Sequence, residues 1–392
     1  MKERVGLAVI ALALGVGGCE SAAERAGIVF DTIGGVPSVI SPERGLLGDT
    51  VPWQLTQYLL VTGDQLYDRK AAVYALDVGI LPNGNVVVLD SGNRRVMRFG
   101  PNGSYIDSFG GPGQEFGQFV TPLFLEVAGE RVYVLDSGLN RVTEFDSAGI
   151  YLDRFEVTLA GLAGTTPLFA VGGPDQVYVA AEPVPFLAEV RDTGNAVIYR
   201  MNMSGAIVDT LALFLPSMWT QIENSEGKFS YVKPRLAPEP LLSADPGGVA
   251  IITGARYLIE LRYPSGALVK RVARQYENVA VTAEVRDSVL DELSQLQNAL
   301  PREALDLVSF APVVPAIEGL VLDDQGRLWV DVYSGDPMRR DVFDAEGQFL
   351  GALYLPQPME LEDVRGDRAC GIINQLGGEA AVVCYRISED GD

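Results

Sequence analysis

The chain lacks histidine altogether. That absence excludes the Ser-His-Asp and Cys-His arrangements of nucleophilic hydrolases, and the imidazole-built zinc centre. Any chemistry falls to carboxylates, Tyr, Lys, Ser or an oxygen-liganded cation such as Ca2+. Cysteine is scarce, three in 392 residues, too few for a disulfide-built scaffold. Positive charge is short as well: 30 Lys and Arg stand against 52 Asp and Glu, a net charge of −22. Such a chain repels phosphate backbones, which argues against nucleic acid as a partner. Long apolar runs are missing except Val5–Val16, which is too short to span a bilayer. What is abundant is turn material and core material, with 43 glycines, 23 prolines and 47% apolar residues. That combination describes a large, well-cored, turn-rich protein rather than a disordered one.

The first residues read as an address. Lys2 and Arg4 precede the apolar run, and Val16-Gly17-Gly18-Cys19 follows it. The pattern resembles a bacterial lipoprotein signal, in which small residues precede a cysteine that is acylated and becomes the new N-terminus. The resemblance implies a signal peptide over 1–18, lipidation of Cys19, a short anchor linker over 19–26, and an exported lipoprotein of the periplasm or cell surface. Membrane contact would then run through the lipid anchor. The alternative is ordinary signal cleavage after Ser21-Ala22-Ala23, with Cys19 in the discarded piece.

An internal repeat dominates the rest. Gly84-Asn85-Val86-Val87-Val88-Leu89-Asp90-Ser91-Gly92 recurs 46 residues later as Glu130-Arg131-Val132-Tyr133-Val134-Leu135-Asp136-Ser137-Gly138. The offset continues through Arg95 and Arg141, Phe99 and Phe145, Gly103 and Gly149, Tyr105 and Tyr151, and Phe109 and Phe155. Thirteen of the 27 positions in 83–109 are identical to their counterparts. Each unit reads as four short strands, with Pro82-Asn83-Gly84 supplying a tight hairpin. Fainter copies lie at Gln176–Val208, Gly248–Val269 and Gly326–Leu353, and a last hairpin spans roughly Arg368 to Ile387. That hairpin lacks a fourth strand, and the lone apolar strand Gly27–Ile33 is expected to supply it, leaving no free edge. The fold expected over 27–389 is an all-β, six-bladed β-propeller of four-stranded antiparallel blades. An N-terminal strand closes its last blade, and one helical insertion lies at about 277–314.

Asp90-Ser91-Gly92-Asn93-Arg94-Arg95-Val96, running on to Phe99 and Gly103, resembles the NHL repeat of six-bladed propellers. Asp136 to Phe145 follows the pattern less closely, since Asn140 sits one place late. The resemblance implies a binding surface for a protein, peptide or saccharide ligand on the cell envelope more than it implies catalysis. Asp90, Arg95, Asp136 and Arg141 are expected to pair near the loops and fix the turn between the second and third strands.

Strand order places the long insertions 34–70, 181–195, 215–239 and 277–314 on one face of the disk, where binding concentrates. Trp219, Tyr231, Lys233 and Arg235 mix aromatic and basic groups there and are candidate ligand contacts. The segment Thr282–Asn298 places Val285, Val289, Leu293 and Leu296 at helical spacing, and reads either as a cap on the ring or as a lid. Counting thirteen residues back from Asp90, Asp331 and Ile373 reaches Asp77, Glu318 and Glu360, acids of three adjacent blades lining the channel. Converging carboxylates raise one another's pKa or hold a hard cation such as Ca2+. Propellers of the gluconolactonase type hold a metal in this way, so a metal-dependent lactonase or lyase is the alternative function.

Cys370 and Cys384 lie on the two arms of the last hairpin, and register decides whether they meet. A three-residue turn over 376–378 sets them directly opposite, within reach of a disulfide. A two-residue turn at Gly377-Gly378 sends them to opposite faces, where they pack as small apolar residues.

Overall fold

The computed structural model describes residues 27–62, 76–157, 168–173, 176–181, 196–214, 220–223, 229–232, 234–295, 308–374 and 380–389. Three strands come first: β1 (Val29–Ile33), β2 (Val36–Ser41) and β3 (Trp53–Val61). Blade one is β4–β7 (Leu76–Ile80, Val86–Asp90, Arg95–Phe99, Tyr105–Gly110). Blade two is β8–β11 (Pro122–Ala128, Arg131–Asp136, Arg141–Asp146, Tyr151–Glu156), and blade three is β12–β15 (Leu168–Gly173, Gln176–Ala181, Ala196–Met201, Ile207–Phe214). A hairpin, β16 and β17 (Thr220–Glu223, Phe229–Val232), precedes blade four, β18–β21 (Leu241–Asp245, Gly248–Ile252, Leu258–Arg262, Leu268–Arg274). Helix α1 (Ala283–Gln295) leads to blade five, β22–β25 (Ile317–Leu322, Leu328–Val332, Arg339–Phe343, Phe349–Tyr354). The last three strands are β26–β28 (Glu360–Arg365, Arg368–Asn374, Ala380–Glu389).

The innermost strands touch in a closed cycle, β4 to β8, β12, β18, β22, β26 and back to β4. The molecule is therefore a six-bladed propeller, and every repeat copy expected from the sequence is a blade. Second strands such as Val86–Asp90 are buried on both faces, because each lies between two neighbouring blades. They consequently read as unbroken apolar runs rather than as alternation. The core divides in the same way, with one apolar cluster at each of the six blade junctions.

The repeated glycine after the third strand has a spatial cause. Gly103 sits in the turn between β6 and β7 at φ +83° and closes the turn with its N–H on the Gly100 carbonyl. A Cβ there would lie 2.6 Å from the Tyr58 carbonyl oxygen of β3. Both the left-handed conformation and the close approach demand glycine. Gly149, Gly205, Gly266 and Gly347 occupy the same turn in the next four blades, and each docks on the outermost strand of the blade before it.

The closing strand differs from expectation. β3 completes blade six, running antiparallel to β28 from Trp53↔Glu389 to Val61↔Val382. Within the expected segment Gly27–Ile33 lies β1, which among the described residues pairs with β2 and is exposed along its whole length. The difference is one of burial: β3 places Leu59 and Val61 in the core between blades six and one, whereas Val29, Phe30 and Ile33 of β1 stay exposed. Of the segment expected to be a loop over 34–70, residues 36–61 form a strap, and 63–70 lie outside the described residues. β2 adds in parallel to β21 at the edge of blade four. Leu46 and Leu47 then donate to the Phe349 and Leu350 carbonyls of blade five, and β3 follows on blade six.

The cysteine register resolves as the three-residue-turn alternative, since Cys370 lies directly opposite Cys384. Their sulfurs are bonded. The turn residues themselves lie outside the described residues.

Leu59→Ala should cost about 2–4 kcal/mol, because it opens a cavity in the closing junction. Val29→Ala, on the exposed strand, should cost within about 0.5 kcal/mol. Urea unfolding of the two variants checks the closure, and equal effects would contradict it. Reducing the Cys370–Cys384 bond, which closes a short loop, should lower stability by about 2–3 kcal/mol. Thiol titration of the unfolded, unreduced protein should find neither sulfur free.

Candidate functional site

Loops between second and third strands, and between one blade and the next, emerge on the same face of the disk. On that face, between blades five and six, lies a cavity of about 460 Å³. The start of β22 supplies Glu318, the end of β23 supplies Asp331 and Val332, and the start of β26 supplies Glu360. The loop Tyr333–Pro337 forms one wall, with Pro358 and Met359 opposite. Arg340, Met359, Ile372 and Val332 are buried, whereas Glu318 and Glu360 are exposed. The cavity thus has a buried floor and an acidic rim.

Arg340 organises the floor. Its side chain, 2% exposed, pairs with the Asp331 carboxylate at 3.1 Å. It also donates to the carbonyls of Pro337, Arg339 and Met359. A buried guanidinium needs such partners, and the three carbonyls also hold the wall loop to the base of β26. The loop is ordered further by Asp336, whose carboxylate accepts from the Met338 N–H, and by the Tyr276 hydroxyl, which donates to the Tyr333 carbonyl at 2.6 Å. Enclosure by the protein pushes the Asp331 pKa up to about 6; Arg340 opposes that shift and Glu360 adds to it. Glu318 is also raised, first by desolvation and then by Asp331.

The channel itself holds a second space of about 200 Å³ lined by all six innermost strands. Asp77, Glu126, Asp245, Glu362 and Asp363 face it, with Arg365 as the cation. Asp77 accepts from the N–H groups of Val78 and, across the junction, Leu125 at 2.7 Å. Asp363 accepts from Ile80 at 2.7 Å, and the Ser243 hydroxyl from Leu322 at 2.8 Å. These side chains tie three neighbouring pairs of innermost strands: β4 to β8, β26 to β4, and β18 to β22. Burial raises Asp77 to about 7 and Asp363 to about 6, and pushes Glu126 and Glu362 well above the usual carboxylate range.

The expected acidic triad is therefore divided. Glu318 and Glu360 share the cavity, whereas Asp77 lies in the channel with both oxygens taken by backbone N–H groups. Among the described residues, no group of three acids is placed to hold a metal ion. Asp331 and Arg340 join the site instead. In the sequence Asp331 marks only the point from which Glu318 is counted, and Arg340, in a run of two arginines, carries no distinguishing signal.

The repeat residues are structural, but only one pair forms. Arg95 meets the buried Asp90 at 2.9 Å, and Asn93 binds the same carboxylate. Asp136 accepts instead from Val120, Thr121 and Leu139 N–H groups, and Arg141 donates to the carbonyls of Gln114, Glu115 and Gln118. Both residues thus brace the loop between blades one and two instead of pairing with each other. Of the candidate ligand contacts, Trp219 and Lys233 lie outside the described residues. Tyr231 is on β17, and Arg235 holds the Ser309 carbonyl and the Ala311 N–H through its backbone. The expected helix is described over Ala283–Gln295, with Val285 and Val289 half-buried. Leu296 falls outside the described residues.

No protein-family model and no curated relative matches the chain. Among solved structures, it is similar to a Bacteroides fragilis protein described as exported, at 9% identity, covering 90% of this chain and 99% of that one with a TM-score of 0.49. A gluconolactonase from Xanthomonas campestris matches at 16% identity over 86% of this chain and 96% of its own, with a TM-score of 0.42. A virginiamycin B lyase from Staphylococcus aureus matches at 9% identity over 84% and 99%, with a TM-score of 0.35. These likenesses concern the fold.

The raised channel acids give stability a definite pH dependence. A carboxyl whose pKa is higher folded than unfolded binds more protons in the native state between those two values. Stability should therefore rise as pH falls through about 7 and about 6, the values of Asp77 and Asp363. Urea midpoints measured across that range should increase on acidification, and Asp77→Asn should flatten the profile.

Proposed function

We propose that the protein is an exported, lipid-anchored propeller of the NHL-repeat-like kind, acting as a ligand-binding module on the cell envelope. The observation that carries the reading is the cavity between blades five and six. It is of a size that takes a small ligand, its floor is buried, and its walls stand on a closed ring that needs no rearrangement to present them. The Asp90 repeat supports the kinship, and Val16-Gly17-Gly18-Cys19 supports the anchor. Binding fits the geometry better than metal-dependent lactone or lyase chemistry, because Asp77 spends its carboxylate on strand-to-strand hydrogen bonds.

Two measurements test the two halves. Labelled fatty acid should enter the full chain and fail to enter Cys19→Ala; equal labelling of both would remove the anchor. A small-molecule library screened by thermal shift should yield ligands whose effect disappears in Ser334→Trp, which blocks the cavity mouth from an exposed loop position. Ligands unaffected by that variant would place binding elsewhere.

A further inference from the structure

We infer that the β1–β2 hairpin is a second membrane contact, docking its apolar side chains at the interface of a zwitterionic lipid bilayer. The inference rests on acylation of Cys19 and names the surface that the anchored chain turns toward the membrane.

What β1 shows to its surroundings is the first ground. Val29, Phe30 and Ile33 are 50%, 58% and 40% exposed. A strand at a sheet edge ordinarily carries charge as protection against chance pairing. Between Gly27 and Ser41, however, the one charged residue is Asp31. Register puts apolar groups on both faces of the hairpin. Val29 and Ile33 lie opposite Ile40 and Val36 on one face, and Phe30 lies opposite Val39 on the other. Such a strand gains by leaving water, whichever face is covered.

Fixed presentation is the second ground. Ile28 and Val39 are buried and pack with Leu46. β2 adds in parallel to β21 of blade four, which leaves β1 outermost in that sheet. Arg271 of β21, paired with Glu260, donates to the Ile33 carbonyl at 2.8 Å. The hairpin is thus fastened to blade four along its inner strand and again beside its turn.

The occupant follows from the tether. Val29 comes ten residues after Cys19, a reach of about 35 Å at full extension. Acylation of Cys19 therefore confines β1 to the neighbourhood of the bilayer and holds the contact at high effective concentration. Charge selects the kind of lipid. A net charge of −22 disfavours an anionic surface, and no Lys or Arg lies between Gly27 and Ser41 to meet one. Asp31 shares a face with Val29 and Ile33, so the strand rests at the headgroup boundary rather than in the hydrocarbon.

The test uses the full, acylated chain carrying Phe30→Cys or Tyr105→Cys, labelled at the new thiol with an environment-sensitive fluorophore. Cys370 and Cys384 are bonded to each other and do not compete for the label. Tyr105 is 56% exposed on the outer strand of blade one, across the ring from blade four. In phosphatidylcholine vesicles the label at position 30 should shift to the blue and be quenched by lipid-borne doxyl groups. The label at position 105 should do neither. Adding Val29→Asp and Ile33→Asp should abolish the shift while uptake of labelled fatty acid stays unchanged. If fatty acid enters at Cys19 but position 30 stays in water, or both positions respond alike, hairpin docking is wrong and the anchor stands. A shift that grows with protein concentration and ignores the lipid quencher would assign β1 to a second copy and overturn lipid docking. If no fatty acid enters at Cys19, the anchor reading falls and this inference falls with it.

Discussion

A propeller has no covalent closure, so the ring is only as secure as the ladder that joins its two ends. Here that ladder is β3 on β28, where a strand from residues 53–61 meets one from residues 380–389. The rest of the structure depends on it in a direct way. Were β3 to detach, β28 would become a bare sheet edge. Leu59 and Val61 would leave the core between blades six and one, and Gly103 would lose the surface on which its turn rests. The disulfide sits in the same blade, holding β27 to β28 directly beneath the closing strand, with the Tyr58 hydroxyl 3.8 Å from the Cys370 sulfur. Blade six lacks the hairpin that links the third and fourth strands of every other blade, and the crosslink reinforces the partner that must hold β3 without one.

The strap before β3 extends the same logic around the rim. Residues 36–61 follow the outer edges of blades four, five and six in turn. Arg274 of β21 is buried beneath it, paired with Asp341 of blade five at 2.6 Å, reaching the Glu43 carbonyl and stacked over Phe349. Asp341 is fully buried and also receives Arg339 and the Tyr257 hydroxyl. Removing one partner of such a cluster leaves an uncompensated charge, so strap, blade four and blade five are energetically one unit. The strap therefore ends in position to place β3, and closure is not left to the tether alone.

The inner face pays for its acids differently. Asp77 and Asp363 brace neighbouring strands by accepting backbone N–H groups, yet burial opposes their ionisation. The channel is thus a place where geometry is gained at an electrostatic cost. At the cavity the arrangement is reversed: Arg340 is embedded among carbonyls to hold a loop, and the acids at the rim stay open to solvent. On β26 the two kinds follow one another along a single strand, Glu360 exposed at its start and Asp363 bracing β4 further in.

Much of the architecture was legible from local pattern. The 46-residue repeat, the apolar runs and the turn glycines each reflect interactions within one blade or with the next, and so they recur along the chain. The cysteine pair was legible to within one register, because a hairpin's arms are tied by a short turn. Other features were not accessible in that way. Gly27–Ile33 and Trp53–Val61 are both apolar strands ahead of the first blade, and nothing local says which one meets a partner more than three hundred residues away. Asp136 and Arg141 copy Asp90 and Arg95 in sequence but serve a neighbouring loop in space. Asp77 copies the spacing of Glu318 and Glu360, yet its carboxylate turns to a strand in the next blade. The sequence by itself determined the blade, its number and its turns, because these follow from short-range periodicity and backbone sterics. Only the tertiary structure decided which strand closes the ring and which acids share a cavity, because both depend on long-range burial and on competition among backbone donors that no local pattern records.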